Sequence, residues 1–105
     1  MEQAQLLKGV LELAVLAVIA QGETYGYEIL SRLEGAGFDG VGDASVYGTL
    51  RRLEQAGHLS SRLAASNSGP ARKYYAVTAS GAEQLEAGTD TWTRISGAFG
   101  RLVKS

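Results

Sequence analysis

The sequence contains no cysteine and only one histidine, His58, among its 105 residues. Without thiols the chain can form neither disulfides nor thiolate metal sites, and a lone histidine leaves no His pair for a metal ion. It also has no phosphate-cradling loop of the P-loop type and no obvious pair of carboxylates flanking an apolar pocket. The residues therefore predict a protein with no metal site, no cofactor and no enzymatic activity.

Long apolar runs are missing as well. The longest mostly apolar stretch, Val10 to Ala20, spans 11 residues and includes Glu12, whereas a membrane-spanning helix needs about 20. The chain does not open with a basic segment, an apolar run and a small-residue cleavage site. Because 105 residues fit one domain, we expect a small cytoplasmic protein with no membrane partner.

The near-neutral net charge of −1 conceals a local excess of basic residues. Between Asp43 and Tyr75, five Lys and Arg residues stand against two Asp and Glu residues, which gives a local charge of +3. The rest of the chain has five basic and nine acidic residues, or −4. A basic segment in a near-neutral chain favours one anion-binding surface, with nucleic acid as the first candidate. The alternative is a chance cluster on a solvated face.

Apolar periodicity predicts three helices in the first half of the chain. The first runs from Leu6 to Gln21 and is apolar nearly all round, so it must be buried on most sides. The second spans Tyr25 to Leu33, with Thr24 as its N-cap. The third opens at Asp43 or at Ala44 and Ser45, runs to about Ala56 and is closed by Gly57.

The period changes after Leu59. A dense turn signal at residues 66–70 separates two short segments, the second of which, Arg72 to Thr78, has the aromatic and β-branched content of a strand. These segments predict a β-hairpin. A long final helix then starts with Thr78 as its cap and continues toward Val103.

The final helix carries a heptad pattern. Leu85, Trp92 and Phe99 are seven residues apart, and Ile95 and Leu102 each follow three residues later. Such a pattern is typical of a helix that packs against its own copy, so these five residues are the predicted dimer interface. Three helices, a hairpin and a long helix predict a mainly α fold: a winged helix-turn-helix domain over 1–78 and a C-terminal dimerisation helix over 79–105.

Four segments of the sequence resemble one known family. They are LKGVLE from Leu7, YGYEI from Tyr25, SVYGTLRRLEQAG from Ser45 and GPARKYYAVTASG from Gly69. In this order and spacing they resemble the PadR family of bacterial transcriptional regulators over residues 6–103, in its smaller subclass with a single C-terminal helix. The resemblance implies a winged-helix DNA-binding domain, a homodimer formed through the last helix with help from the first, and repression of a nearby promoter.

The third helix is the predicted recognition helix. If Val46, Leu50 and Leu53 face the core, the opposite face carries small residues followed by two arginines. Small residues let a helix enter the major groove closely, and arginine can hold a phosphate or bind guanine in bidentate fashion. The predicted DNA contacts are Ser45, Tyr47, Gly48, Thr49, Arg51 and Arg52 on this helix, Arg72 and Lys73 on the hairpin, and Tyr25 and Lys8 elsewhere. For each cationic position the alternative is a solvated side chain without a partner, and for Tyr47 it is a purely structural tyrosine.

Trp92, the only tryptophan, leaves two interpretations open. It is either a residue of the dimer core or, as the resemblance to multidrug-sensing members of the family implies, part of a cavity between subunits that takes a planar aromatic effector. The small neighbours Gly88 and Ser96 fit a cavity and close helix packing equally well. For the whole chain, the alternative to an operator-binding repressor is a winged-helix module that binds another protein without contacting DNA.

Overall fold

The structure is a computed structural model that describes residues 6–7 and 9–104. The helices and strands that it defines are, in chain order, α1 (Leu11–Ile19), β1 (Thr24–Tyr25), α2 (Gly26–Gly35), α3 (Asp43–Gln55), β2 (Leu59–Ser66), β3 (Gly69–Val77) and α4 (Ala79–Lys104). The strands form one antiparallel sheet in the order β1-β3-β2. This arrangement confirms the predicted winged helix-turn-helix with a long C-terminal helix.

The core lies where α1, α2 and α3 meet the sheet. Val15, Leu16, Ile29, Val46 and Leu50 are fully shielded from solvent. The predicted inward stripe of α3 is confirmed, because Leu53 is buried beside Val46 and Leu50. The sheet contributes Leu59 and Tyr75 to the same cluster. Burial of these side chains stabilises the fold by about 1.5–3 kcal/mol for each large one.

The first helix differs from its prediction. A turn at Gly9 and Val10 precedes α1, and the Val10 N–H donates to the Leu7 carbonyl at 2.9 Å. The helix therefore starts at Leu11, and a continuous helix from Leu6 to Gln21 was wrong. Glycine is a poor helix residue and disfavours continuation at this point. The other end follows the prediction, since Gly22 adopts a φ of +151° just beyond α1.

The predicted N-cap of α2 was also wrong. Thr24 lies in β1, where it pairs with Tyr75, and the cap position of α2 is Tyr25 in an extended conformation. The Thr24 side chain is 2% exposed, and its hydroxyl has no hydrogen-bond partner among the described residues. Because Thr24 pairs with β3, it is a strand residue and does not cap α2.

The hairpin and the end of α3 follow their predictions. Gly57 ends α3 with a φ of +82°, a conformation that glycine adopts without strain. Strands β2 and β3 pair from Leu59 and Val77 outward, with a turn at residues 67–68. At the far end of β3, the Gly81 N–H donates to the Thr78 hydroxyl at 3.1 Å, which confirms Thr78 as the cap of α4.

A tight joint connects the end of α3 to the start of α4. A Cβ atom on Gly81 would stand 2.1 Å from the His58 carbonyl oxygen, so the two backbones approach as closely as glycine permits. Around this contact, the Ser80 hydroxyl donates to the Gly57 carbonyl at 3.0 Å and lies 3.0 Å from Nδ1 of His58. The direction of α4 is therefore fixed against the turn that follows α3.

Helix α4 is packed in its first turns and exposed in its second half. Leu85, one of the five residues predicted at the dimer interface, is partly buried against the core of its own chain, so this part of the prediction was wrong. A Cβ on Gly88 would lie 2.3 Å from a Leu13 methyl, so the backbone of α4 approaches the Leu13 side chain of α1 closely here. Beyond Gly88, the side chains of Trp92, Ile95 and Phe99 are exposed. Among the described residues, no helix has the length and hydropathy that crossing a membrane requires.

Candidate nucleic-acid interface

The outward face of α3 carries the small residues and arginines that the sequence predicts. Ala44, Ser45, Arg51 and Arg52 are exposed, and Gly48 between them is half-buried. Apart from the neighbouring residues and the backbone of α3, only the Arg52 guanidinium among the described residues lies within 4 Å of the Cβ position of Gly48. The first two turns of this face therefore present little side-chain bulk, and the arginines stand at its C-terminal half.

Thr49 does not belong to this surface. Its side chain is fully buried, and its hydroxyl donates to the Ser45 carbonyl at 2.8 Å within the helix. The prediction of a DNA contact at Thr49 was wrong for the side chain, because the spacing from Val46 and Leu53 places it on the inward stripe. Its hydroxyl instead accepts a hydrogen bond from Arg52 at 3.1 Å.

The two arginines of α3 have different surroundings. Nε of Arg52 lies 3.6 Å from a carboxylate oxygen of Glu12 on α1, and its guanidinium also bonds Thr49. Arg51 is exposed, and within the described part of the chain no carboxylate forms an ion pair with it. Arg52 is thus held beside the helix, whereas Arg51 is available to a ligand.

Tyr47 is positioned by a glycine on the neighbouring helix. A Cβ on Gly26 would stand 2.6 Å from a ring carbon of Tyr47 and 2.7 Å from its hydroxyl oxygen. The ring therefore rests on the first turn of α2, and the side chain remains 42% exposed. This contact brings the Tyr47 hydroxyl to the N-terminus of α2, where backbone N–H groups lack helical partners.

A cleft of about 430 Å³ opens beside Tyr47. We call it the tyrosine cleft; it is lined by Tyr25, Gly26, Tyr27, Tyr47, Arg72, Lys73 and Tyr75. It brings together four of the residues predicted to contact DNA: Tyr25, Tyr47, Arg72 and Lys73. Tyr27 was not among the predicted contacts, yet its side chain lines the cleft and is 72% exposed.

Arg72 and Lys73 both line this cleft, but their charged groups have different contacts. The Arg72 guanidinium stands 4.6 Å from the centre of the Tyr25 ring, a distance at which cation and ring attract. The Lys73 ammonium lies 3.0 Å from a carboxylate oxygen of Glu54 on α3 and 5.4 Å from the centre of the Tyr75 ring. Because adjacent strand residues point to opposite faces, the Arg72 guanidinium contacts the Tyr25 ring and the Lys73 ammonium contacts Glu54 of α3.

Glu54 joins α3 to both strands of the hairpin. The Ser61 hydroxyl of β2 donates to one carboxylate oxygen, and Lys73 of β3 pairs with the other. These two contacts hold the pKa of the Glu54 carboxyl below its ordinary value, the Ser61 hydrogen bond contributing most. The same pairing with Glu54 raises the pKa of the Lys73 ammonium. Both groups are therefore charged at neutral pH.

A further cation of the basic segment is paired as well. Arg62 on β2 forms two hydrogen bonds with Glu23, at 2.6 and 2.8 Å, and stands 5.4 Å from the centre of the Tyr74 ring. The hydrogen bonds from Arg62 lower the pKa of the Glu23 carboxyl. With Glu12 and Glu23 counted beside it, the basic segment has five cations and four carboxylates, so its net charge falls from +3 to +1.

Two remaining groups of predicted residues lie elsewhere. Lys8 falls outside the described residues. Trp92 and Gly88 line an apolar groove of about 520 Å³ between α1 and α4, together with Leu13 and Leu16; we call it the α1–α4 groove. Ser96 is not among the lining residues, and its hydroxyl donates to the Thr93 carbonyl at 3.3 Å.

Comparison with known proteins identifies the family to which this fold belongs. Residues 15–87 match the family described as the transcriptional regulator PadR-like family. The chain belongs to this PadR-like family. It is a family of transcriptional regulators rather than of enzymes, and its membership implies DNA-binding regulation.

Solved structures of transcriptional regulators resemble the chain over nearly its whole length. A PadR-like transcriptional regulator from Bacillus cereus is 40% identical, with 96% of this chain and 98% of that one covered and a TM-score of 0.86. A Streptococcus transcriptional regulator is 37% identical, covering 93% and 96%, with a TM-score of 0.83. A PadR family regulator from Eggerthella lenta is 29% identical, covering 96% and 88%, with a TM-score of 0.86.

Proposed function

We propose that this PadR-like chain is a homodimeric repressor that binds a pseudo-palindromic operator and is released by a small planar aromatic effector. The observation that carries the proposal is the position of the tyrosine cleft. It lies directly beside α3, so a helix that can enter a DNA groove and a cationic cleft that can hold the flanking backbone belong to one surface.

The outward face of α3 suits the major groove. Ala44, Ser45 and Gly48 let the N-terminal half of the helix approach the base edges, and Arg51 follows one turn later without a carboxylate partner among the described residues. An arginine on a recognition helix can bind guanine through two hydrogen bonds, which discriminates by about 1–3 kcal/mol against another base. We therefore assign sequence preference to this face and to Arg51 first.

The tyrosine cleft suits a phosphate of the DNA backbone. It offers the cations of Arg72 and Lys73, the phenol groups of Tyr25, Tyr27 and Tyr47, and the start of α2, whose cap residue makes no side-chain capping bond. A helix N-terminus attracts anions through its free N–H groups and its dipole. Contacts of this kind set affinity and orientation rather than sequence choice.

The exposed seam of α4 supports the homodimer. Trp92, Ile95, Phe99 and Leu102 repeat at heptad spacing on one face, and each is at least half exposed. Covering this seam with the same seam of a second copy gives a two-fold dimer with two copies of α3. Two-fold recognition helices bind half-sites about one helical turn apart, roughly 10 base pairs from centre to centre.

The α1–α4 groove supports an effector site. Its wall is largely apolar, and the half-exposed indole of Trp92 forms part of it. A planar ring that stacks on an indole gains about 0.5–1.5 kcal/mol beyond the area it buries. Because the groove is bounded by α4, a ligand in it can alter how two copies of this helix pack.

The DNA-binding part of the proposal is tested by selecting sites from a random DNA pool and titrating the selected duplex at several salt concentrations. We expect an inverted repeat and a logarithm of affinity that falls linearly with the logarithm of salt, by about 0.9 for each phosphate contact. Arg72→Ala should weaken all sequences alike and flatten this slope. Arg51→Ala should instead change the order in which sites are preferred.

Arg94→Ala provides the matched control, since it removes an exposed arginine from the middle of α4, away from the cleft and α3. It should leave both the salt slope and the site preference unchanged. A full-length chain that selects no sequence from the pool would contradict the proposal. Equal losses on every sequence from Arg51→Ala and Arg72→Ala would move Arg51 from base recognition to a phosphate contact.

A further inference from the structure

The two cations of the tyrosine cleft differ in one respect that bears on how tightly the protein holds DNA. Arg72 rests on the Tyr25 ring, and none of the described carboxylates forms an ion pair with it. Lys73 is paired with Glu54 at 3.0 Å. A carboxylate is therefore already bound to one of the two positive charges that a phosphate would meet.

We propose that Glu54 competes with the DNA backbone for Lys73 and thereby lowers the affinity of this protein for DNA of any sequence. The inference rests on the proposed function, since it assigns a regulating role to a residue beside the proposed phosphate site. It makes Glu54 a residue that restrains binding rather than one that contacts DNA.

The competition arises because the single positive charge of Lys73 is already paired with one anion. Lys73 has three N–H donors and no other charge, so a phosphate in the cleft either displaces the carboxylate or shares the ammonium with it. If Glu54 is displaced, the pair at 3.0 Å is lost. If the ammonium is shared, two anions stand on either side of one cation and repel each other. In both cases the complex with DNA has a higher free energy than it would have without the charge of Glu54.

Glu54 cannot simply turn away from the cleft. Its second carboxylate oxygen accepts a hydrogen bond from the Ser61 hydroxyl on β2, so the group is held between α3 and the hairpin. The pKa of Glu54 is lowered by these contacts, so the carboxylate is charged at neutral pH. The negative charge is held beside Lys73 by the Ser61 hydrogen bond.

The expected size of the effect follows from the exposure of the pair. The side chains of Lys73 and Glu54 are 48% and 32% exposed, so water screens their attraction. Pairs of this kind change an equilibrium by about two- to fivefold when one member is removed. The restraint should therefore be modest at each site and should weaken as salt rises, because exposed charges are screened more strongly at high ionic strength.

The test compares wild type and Glu54→Gln, both full length, on the selected operator and on a duplex of unrelated sequence. Glutamine keeps an oxygen that accepts the Ser61 hydrogen bond but removes the charge. We expect affinity for both duplexes to rise about two- to fivefold at low salt, and the gain to shrink as salt increases. Thermal melting of both proteins checks that the variant is folded.

Two comparisons isolate the pair. Glu34→Gln removes an exposed carboxylate near the C-terminal end of α2, at the opposite end of that helix from the cleft, and controls for the change in net charge; it should leave affinity unchanged. In a Lys73→Gln background the gain from Glu54→Gln should vanish, because no ammonium remains to be released.

An unchanged or weaker affinity of folded Glu54→Gln would overturn the inference, and so would a gain that persists in the Lys73→Gln background. These results differ from a failure of the proposed function. If wild type binds neither duplex at any salt concentration, the DNA-binding proposal itself falls, and the inference falls with it.

Discussion

Apolar side chains are buried in the body formed by α1 to α3 and the sheet, but they are exposed on the second half of α4. Leu50 in the body is fully buried, whereas Leu102 on α4 is 74% exposed. Both residues belong to stripes with helical spacing, so the sequence pattern is alike in the two regions. The difference shows that the body completes its own core within one chain, while α4 carries an apolar stripe that the described residues leave exposed.

Removing the exposed stripe should have the largest effect. A chain truncated after Gly88 lacks Trp92, Ile95, Phe99 and Leu102, each of which contributes about 1.5–3 kcal/mol when buried. We expect the full chain to sediment as a dimer and the truncated chain as a monomer. Since the body keeps its core, the truncated chain should retain a cooperative thermal transition.

A point variant sharpens the same comparison without shortening the helix. Phe99→Glu places a charge in the stripe and should disrupt the dimer, whereas Thr93→Glu places the same charge on an outward position of the heptad and should preserve it. A full-length wild-type chain that sediments as a monomer at micromolar concentration would refute the dimer.

Two glycines of α4 should respond to alanine with opposite signs. At Gly81 the new methyl group would collide with the His58 carbonyl at 2.1 Å, and such overpacking costs about 1–3 kcal/mol. At Gly97 it would meet only the flexible end of Arg101 at 3.6 Å, and alanine should stabilise the helix by about 1 kcal/mol. Denaturant titration of both variants measures this, and a stabilised Gly81→Ala would disprove the close backbone contact.

The smallest expected effect is optical. Trp92 is the only tryptophan, so a planar aromatic dye that enters the α1–α4 groove should quench its fluorescence. Trp92→Ala should remove dye binding and weaken the dimer without dissociating it at micromolar concentration, because Ile95, Phe99 and Leu102 remain in the seam. If a panel of planar dyes leaves the emission unaltered and Trp92→Ala dissociates the dimer, Trp92 is a residue of the dimer core and the effector proposal is wrong.

The features predictable from the sequence depend on local signals. The bounds of α3 followed from its apolar stripe and Gly57, and the hairpin followed from the turn signal at residues 66–70. The buried position of Thr49 also had a local signal, since it lies three residues after Val46 and four before Leu53 on the inward stripe. Thr49 was predicted to contact DNA because it lies in the segment from Ser45 that resembles the family, although its spacing already indicated an inward position.

The features that could not be predicted depend on contacts between distant parts of the chain. Strand β1 has only two residues and exists because β3 offers it backbone partners. The pairs of Arg62 with Glu23 and of Arg52 with Glu12 join residues about 40 positions apart in the sequence. For this reason the basic segment seemed more strongly charged in the sequence than its surface is in the fold.

The contact between Gly81 and the His58 carbonyl has a mechanical consequence. Helix α4 has 26 residues and is therefore about 39 Å long, so it acts as a lever whose fulcrum lies next to the end of α3. A tilt of about 10° at the fulcrum would move the far end by about 7 Å, given the rise of an α-helix. In the proposed dimer the converse also holds: a sideways shift of about 3 Å halfway along α4, about 20 Å from the fulcrum, would reach α3 as a rotation of about 9°. In the proposed dimer, the length of α4 thus determines how large a rotation of α3 on the DNA accompanies a given displacement at the dimer seam.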